Sequence, residues 1–101
     1  MKRAGWPALA WILTLSCLQA HADDGARAAS SLGCLNCHGH EGQSSPSLRH
    51  LADRAARRGD NAEALQHLLQ EMREHGSVHS HRMPSDASAL VVLRWMAHGA
   101  P

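Results

Sequence analysis

The sequence predicts a small all-α protein, a single domain of about four helices, and three observations support this fold class. The chain has 101 residues, which is enough for one small domain. Several stretches place apolar residues three and four positions apart, which is the spacing of one helix face. No stretch shows sustained period-two alternation with β-branched residues, so we expect no sheet.

Residues 1–22 are expected to be a cleaved secretory signal peptide, which leaves the domain at 23–101. Lys2 and Arg3 form a positively charged start, a short apolar run follows, and an A-x-A cleavage pattern ends at Ala22. The apolar run is too short for a spanning helix. We therefore expect a periplasmic protein with no stable membrane insertion after cleavage. An uncleaved membrane anchor is the alternative.

The composition of the remaining domain limits its partners and its core. Without Lys2 and Arg3 the domain has no lysine and holds eight arginines against nine acidic residues, a formal charge of −1. It has no basic field for nucleic acid to bind. It also has no Phe or Tyr, and its only tryptophan is Trp95. A domain of this size is marginal on a protein-only core, so we expect a large apolar group to complete it.

The first two helices are predicted from their caps and small apolar faces. A short helix with small side chains should follow the acidic Asp23 and Asp24, which suit the positive end of the helix dipole. The glycine- and serine-rich stretch 39–47 reads as a loop. Ser47 can then cap a second helix over 48–57.

The third and fourth helices are likewise predicted from their caps and apolar faces. Asp60 with Glu63 resembles a capping box, and an apolar stripe then runs to Gly76, which is expected to end the third helix. Residues 77–84 are predicted to form a loop. Ser85 can cap the last helix, which carries Trp95 beside its apolar stripe.

The motif Cys34-Leu35-Asn36-Cys37-His38 is the C-x-x-C-H pattern of covalent haem attachment. Each thiol adds to one vinyl group of the porphyrin, so the two sulfurs must lie a short turn apart. The histidine that directly follows the second thiol is then held over the iron. We therefore expect one haem c attached through Cys34 and Cys37, with His38 as the proximal iron ligand.

Together, these parts resemble the class I c-type cytochromes, and in particular their short bacterial monohaem members. The resemblance covers essentially the whole domain and depends on the order and spacing of its parts. They are the haem motif with Gly39, Ser45-Pro46-Ser47-Leu48, Arg82-Met83-Pro84 and a final apolar helix with Trp95. It implies a cytochrome c fold of about four helices around one covalently attached haem.

By this resemblance Met83 is the distal iron ligand. A thioether is a soft, neutral ligand, and opposite a histidine it raises the reduction potential. Pro84 stiffens the backbone beside it. His79 and His81 compete for the same position, and histidine ligation would lower the potential.

The resemblance also implies roles around the proximal ligand. The carbonyl of Pro46 would accept a hydrogen bond from His38, and Leu48 would pack on the haem. Candidates to meet a haem propionate are Arg49, Arg54, Arg57 and Arg58. Two features depart from the family. Ala29, Ser30 and Leu32 occupy the region where the family often has an aromatic in the first helix, and no lysine rim is present for partner docking.

The expected function is one-electron transfer in the periplasm, with no enzyme activity of its own, because both axial positions of the iron are filled. The protein would be a soluble carrier or the cytochrome subunit of a dehydrogenase. Its partners would be redox proteins: a periplasmic dehydrogenase, an oxidase or a membrane cytochrome complex. Two other classes compete. One is a haem-based gas sensor with a displaceable sixth ligand. The other is a zinc module that uses the two cysteines with nearby histidines.

Overall fold

The computed structural model describes residues 24–40, 45–75 and 79–100, and within these ranges the chain forms six helices and no strand. The expected signal peptide and its cleavage site lie outside the described residues. The helices are α1 (24–31), α2 (Cys34–His38), α3 (Leu48–Arg58), α4 (Ala62–Glu74), α5 (His79–Arg82) and α6 (Asp86–Ala97). The predicted all-α class is confirmed.

Gly33 joins the first two helices without an intervening loop. Its backbone has φ of 79°, in the left-handed region that glycine adopts without steric cost. Its N–H donates to the carbonyl of Ser30, and its own carbonyl accepts from the N–H of Asn36 in the first turn of α2. Two residues therefore separate the end of α1 from the start of the C-x-x-C-H motif.

Side-chain caps start three of the helices, and one differs from the prediction. Ser47 accepts from the backbone N–H of His50, as expected for the cap of α3. Asn61, not Asp60, caps α4, with its Oδ1 2.9 Å from the N–H of Ala64. The amide of Asn61 therefore performs the capping predicted for the carboxylate one residue earlier.

Asp60 has a different partner. Its Oδ2 lies 2.6 Å from Nε2 of His98, just past the end of α6. The side chain therefore links the start of α4 to the end of α6, a long-range contact that no local capping pattern indicates.

The region predicted as a loop over 77–84 contains the one-turn helix α5, so this part of the prediction is wrong. Ser85 caps α6 as predicted, and its hydroxyl accepts from the N–H of Ser88. Helix α4 ends at Glu74. The predicted terminator, Gly76, lies outside the described residues.

Helix α6 is central to the packing, since it contacts both α3 and α4. The buried core of the described ranges holds eleven apolar residues, of which five are alanine. Leu65 is its largest fully buried side chain, and burial of one leucine stabilises a fold by about 1.5–3 kcal/mol. Five of the eleven core side chains are therefore single methyl groups, so the protein-only core is thin. None of the helices in the described ranges is both long and apolar enough to cross a membrane.

Candidate functional site

A cavity of about 410 Å³ opens among α2, α3, α4 and α6. This volume lies within the range of roughly 300–1,000 Å³ typical of cofactor and ligand sites. Its walls are mainly apolar. They include Leu32, Leu48, Leu51, Leu68, Met72, Val92, Leu93 and Met96. Apolar walls suit a large, flat, apolar ligand better than a small polar one.

Both thiols of the motif line this cavity. Cys34 and Cys37 lie three residues apart on α2, on the same side of one helical turn. Both are free, with Cys34 partly buried and Cys37 exposed. Burial raises the pKa of the Cys34 thiol above its ordinary value, so Cys34 is held as a neutral thiol at neutral pH.

His38 follows the two thiols and also lines the cavity. Its Nδ1 lies 2.5 Å from the carbonyl oxygen of Pro46, the contact that the cytochrome resemblance implies for these two residues. A carbonyl can only accept, so Nδ1 carries the proton and donates. With Nδ1 bound to Pro46, Nε2 is the ring nitrogen left for a metal.

A second histidine faces His38 across the site. The ring centroids of His38 and His81 are 6.0 Å apart, and the ring planes differ by 12°. His81 lines the cavity, and its Nδ1 lies 2.9 Å from the carbonyl oxygen of His75. The same reasoning gives His81 a protonated Nδ1 and a free lone pair on Nε2.

Met83, the distal ligand predicted from the sequence, lies elsewhere. Its side chain is 66% exposed, and it is not among the residues that line the cavity. His79 is also exposed and outside the lining. Of the three candidates for the distal position, the structure brings only His81 to the side of the cavity that faces His38.

Arg73 holds the segment that carries His81, a role that sequence reasoning missed. Its guanidinium donates to the carbonyl oxygens of His81 and Pro84, both at 2.7 Å, and to the carboxylate of Asp86 at 2.8 Å. Carbonyl oxygens are common to every residue, so no pattern in the sequence marks the acceptors of this arginine.

Among the four candidate propionate arginines, Arg54 and Arg58 line the cavity, whereas Arg49 and Arg57 are exposed outside it. Arg58 donates to Glu71 at 2.7 Å. This hydrogen bond is the main reason why the pKa of Glu71 lies below its ordinary value and that of Arg58 above it. The pair places positive and negative charge at the same part of the cavity.

Leu48 is buried and belongs to the cavity wall, and Pro46 lies beside it in the lining. Within the described ranges, no group of three or more His, Cys, Asp and Glu side chains is gathered as a metal site.

Comparison with protein-family models, with curated proteins and with solved structures finds no match to this chain. The assignment of a function therefore depends on the residues themselves.

Proposed function

We propose that this protein is a monohaem c-type cytochrome that carries single electrons. The observation that carries the proposal is the convergence of three groups on one apolar cavity. Cys34 and Cys37 supply thiols one turn apart, and His38 supplies an imidazole whose Nδ1 is bound to Pro46, which leaves Nε2 for a metal. The export signal predicted at the start of the chain also supports this proposal.

The residues around the cavity fit a haem. Aliphatic side chains form its walls, as an apolar macrocycle requires, and the cavity opens beside a thin, alanine-rich core. A bound haem supplies an iron centre that alternates between the ferric and ferrous states. It would be attached through Cys34 and Cys37 and ligated by His38, with Leu48 packed against it.

The protein's own groups would then control the site. Pro46 holds the ring of His38 in one orientation and one tautomer through its carbonyl. Apolar walls exclude water, so they would favour the oxidation state of the iron in which the site carries less charge. Arg54 and Arg58 line the cavity and would be the candidates to meet anionic groups of the ligand, with Arg58 already paired with Glu71.

The proposed carrier works in the periplasm, free or as a dehydrogenase subunit. Its partners would be redox proteins such as a periplasmic dehydrogenase, an oxidase or a membrane cytochrome complex. The region over 23–101 has no lysine, so docking would use contacts other than a lysine rim. With both axial positions filled, it is expected to have no enzyme activity.

A pyridine haemochrome spectrum with metal analysis tests this proposal. The exported protein should contain one iron and show the spectrum of a haem joined by two thioether bonds, resistant to acid acetone. Cys34→Ala or Cys37→Ala should leave at most one such bond. Zinc in place of iron, or haem that acid acetone removes, would overturn the assignment. Carbon monoxide separates a carrier from a gas sensor, since the reduced carrier should not bind it at neutral pH.

A further inference from the structure

We propose that His81, and not Met83, is the second axial ligand of the iron, and this rests on the proposed function. The three residues predicted as competitors for this position occupy one short segment. The structure separates them by where each side chain lies, and three independent observations favour His81.

The first observation is the arrangement of the two rings. Imidazoles bound on opposite sides of one metal ion have centroids roughly 6 Å apart, because each metal–nitrogen bond is about 2 Å and each ring adds about 1 Å. The centroids of His38 and His81 are 6.0 Å apart, with planes within 12° of parallel. This centroid separation therefore matches that of two imidazoles on one metal ion. The alternative is an offset stack of two rings that holds no metal.

The second observation is the tautomer of each ring. Nδ1 of His38 donates to Pro46, and Nδ1 of His81 donates to the carbonyl of His75. Histidine ligands in metalloproteins commonly donate their other ring N–H to a carbonyl or carboxylate, which fixes the ring and raises its basicity. Both histidines have this support, and each keeps Nε2 for the iron.

The third observation is the helical geometry of α5. Successive residues turn by about 100° around a helix, so positions 81 and 83 point in nearly opposite directions. The backbone N–H of Met83 donates to the carbonyl of His79, which continues this helical turn up to Met83. One conformation of the segment can therefore present His81 or Met83 to the cavity, but not both.

Arg73 stabilises the conformation that presents His81. It binds the carbonyl of His81 itself and the carbonyl of Pro84, on either side of Met83. Turning Met83 inward would unwind α5, release these two bonds and move His81 away from His75. Hydrogen bonds from a charged donor are the stronger ones in proteins, so this change is opposed.

Two imidazoles stabilise ferric iron more than an imidazole with a thioether does, so the protein would be a low-potential carrier. Its reduction potential would lie well below that of His/Met cytochromes. Its electron donor would belong to a correspondingly reducing chain.

Spectroscopy of the unmodified ferric protein provides the first test. We expect a low-spin iron without the weak near-red charge-transfer band from sulfur to iron. The electron paramagnetic resonance spectrum should be rhombic, which is typical of nearly parallel imidazole planes. A near-red sulfur band in this protein would overturn the proposal.

Matched variants provide the second test. Met83→Leu should leave the ferric spectrum and the potential unchanged, as should the control His79→Ala. His81→Ala should lose the low-spin spectrum, bind carbon monoxide when reduced, and recover the spectrum with added imidazole. If His81→Ala keeps the original spectrum while Met83→Leu loses it, Met83 is the ligand.

The failure of this inference and of the proposed function can be told apart. A protein with two thioether bonds and a sulfur-ligated iron remains a c-type cytochrome, and only the ligand assignment is then wrong. A protein without covalent haem fails the haemochrome test before any ligand is examined. In that case the 6.0 Å separation of the two histidine rings is an offset stack.

Discussion

Gly25 lies against Trp95 so closely that a Cβ atom at position 25 would fall 2.2 Å from both Cβ and Cγ of the tryptophan. Gly25 is buried, and this contact brings α1 directly onto α6. The family that the sequence resembles often packs an aromatic of the first helix on one of the last. Here the missing side chain of Gly25 makes room for Trp95, and the two helices approach more closely instead.

Replacement of Gly25 by alanine should therefore destabilise the protein, although alanine is the better helix former. Cβ of Trp95 is fixed to the backbone and cannot rotate away, so the two helices would have to separate. We expect a loss of about 1–3 kcal/mol in the free energy of unfolding, typical of overpacking. Denaturant unfolding of the holo protein measures it.

The control for this variant lies on the same helix. Ala26 is exposed, and Ala26→Gly reports the helix propensity alone, with an expected loss of about 1 kcal/mol. If Gly25→Ala instead increases stability, the close contact with Trp95 does not exist in solution.

Arg73→Gln should loosen α5. The variant loses the bonds to His81 and Pro84, and charged hydrogen bonds of this kind contribute about 1.5–3 kcal/mol each at most. We expect a lower midpoint of unfolding and a fraction of ferric protein that has lost its sixth ligand. Arg94→Gln, at an exposed position of α6, is the control. It should change neither the midpoint of unfolding nor the fraction of protein that has lost its sixth ligand. An Arg73→Gln protein with unchanged stability and spectrum would show that the hydrogen bonds of Arg73 do not hold α5 in place.

The stability of the protein should depend on Glu71 at neutral pH but not in acid. Arg58 lowers the pKa of Glu71, so the folded state binds fewer protons than the unfolded state between that value and about 4.3. The pair thus contributes stability above pH 4.3, and the contribution disappears as the pH falls through the lowered pKa.

Glu71→Gln should accordingly have a slightly lower melting temperature than the unchanged protein at pH 7, and the difference should shrink as the pH falls below about 4.3 and through the lowered pKa of Glu71. The side chains of Arg58 and Glu71 are 36% and 28% exposed, so solvent reaches the pair and added salt should reduce the effect. Glu74→Gln, one turn later on the same helix, is the matched control. A difference that grows in acid has the wrong sign and would contradict the pairing.

The haem-free chain should be largely unfolded. The structure has five alanines among its eleven buried apolar residues and an apolar cavity beside them, so protein contacts alone form a thin core. A double variant, Cys34→Ser with Cys37→Ser, should lack a cooperative thermal transition in circular dichroism. The native protein provides the comparison. A haem-free chain that melts as cooperatively as the native one would mean that the helices need no added group.

Local sequence was sufficient for the caps of α3 and α6 and for the spacing of Cys34, Cys37 and His38, but not for α5 or for the cap of α4. Ser47 and Ser85 cap α3 and α6 as predicted, because capping is decided by residues within one turn. Likewise, the spacing of Cys34, Cys37 and His38 is a property of five consecutive residues. These features need no knowledge of distant contacts.

The distal half of the site was decided by tertiary structure. The sequence offered three candidates within five residues, and Met83 was predicted from its neighbours and from family resemblance. Which of the three side chains lines the cavity depends on the turn of α5. That turn is held from another helix by Arg73, and the ring of His81 is held by the carbonyl of His75. Backbone carbonyls are the same in every residue, so a sequence cannot reveal which of them an arginine or an imidazole will meet.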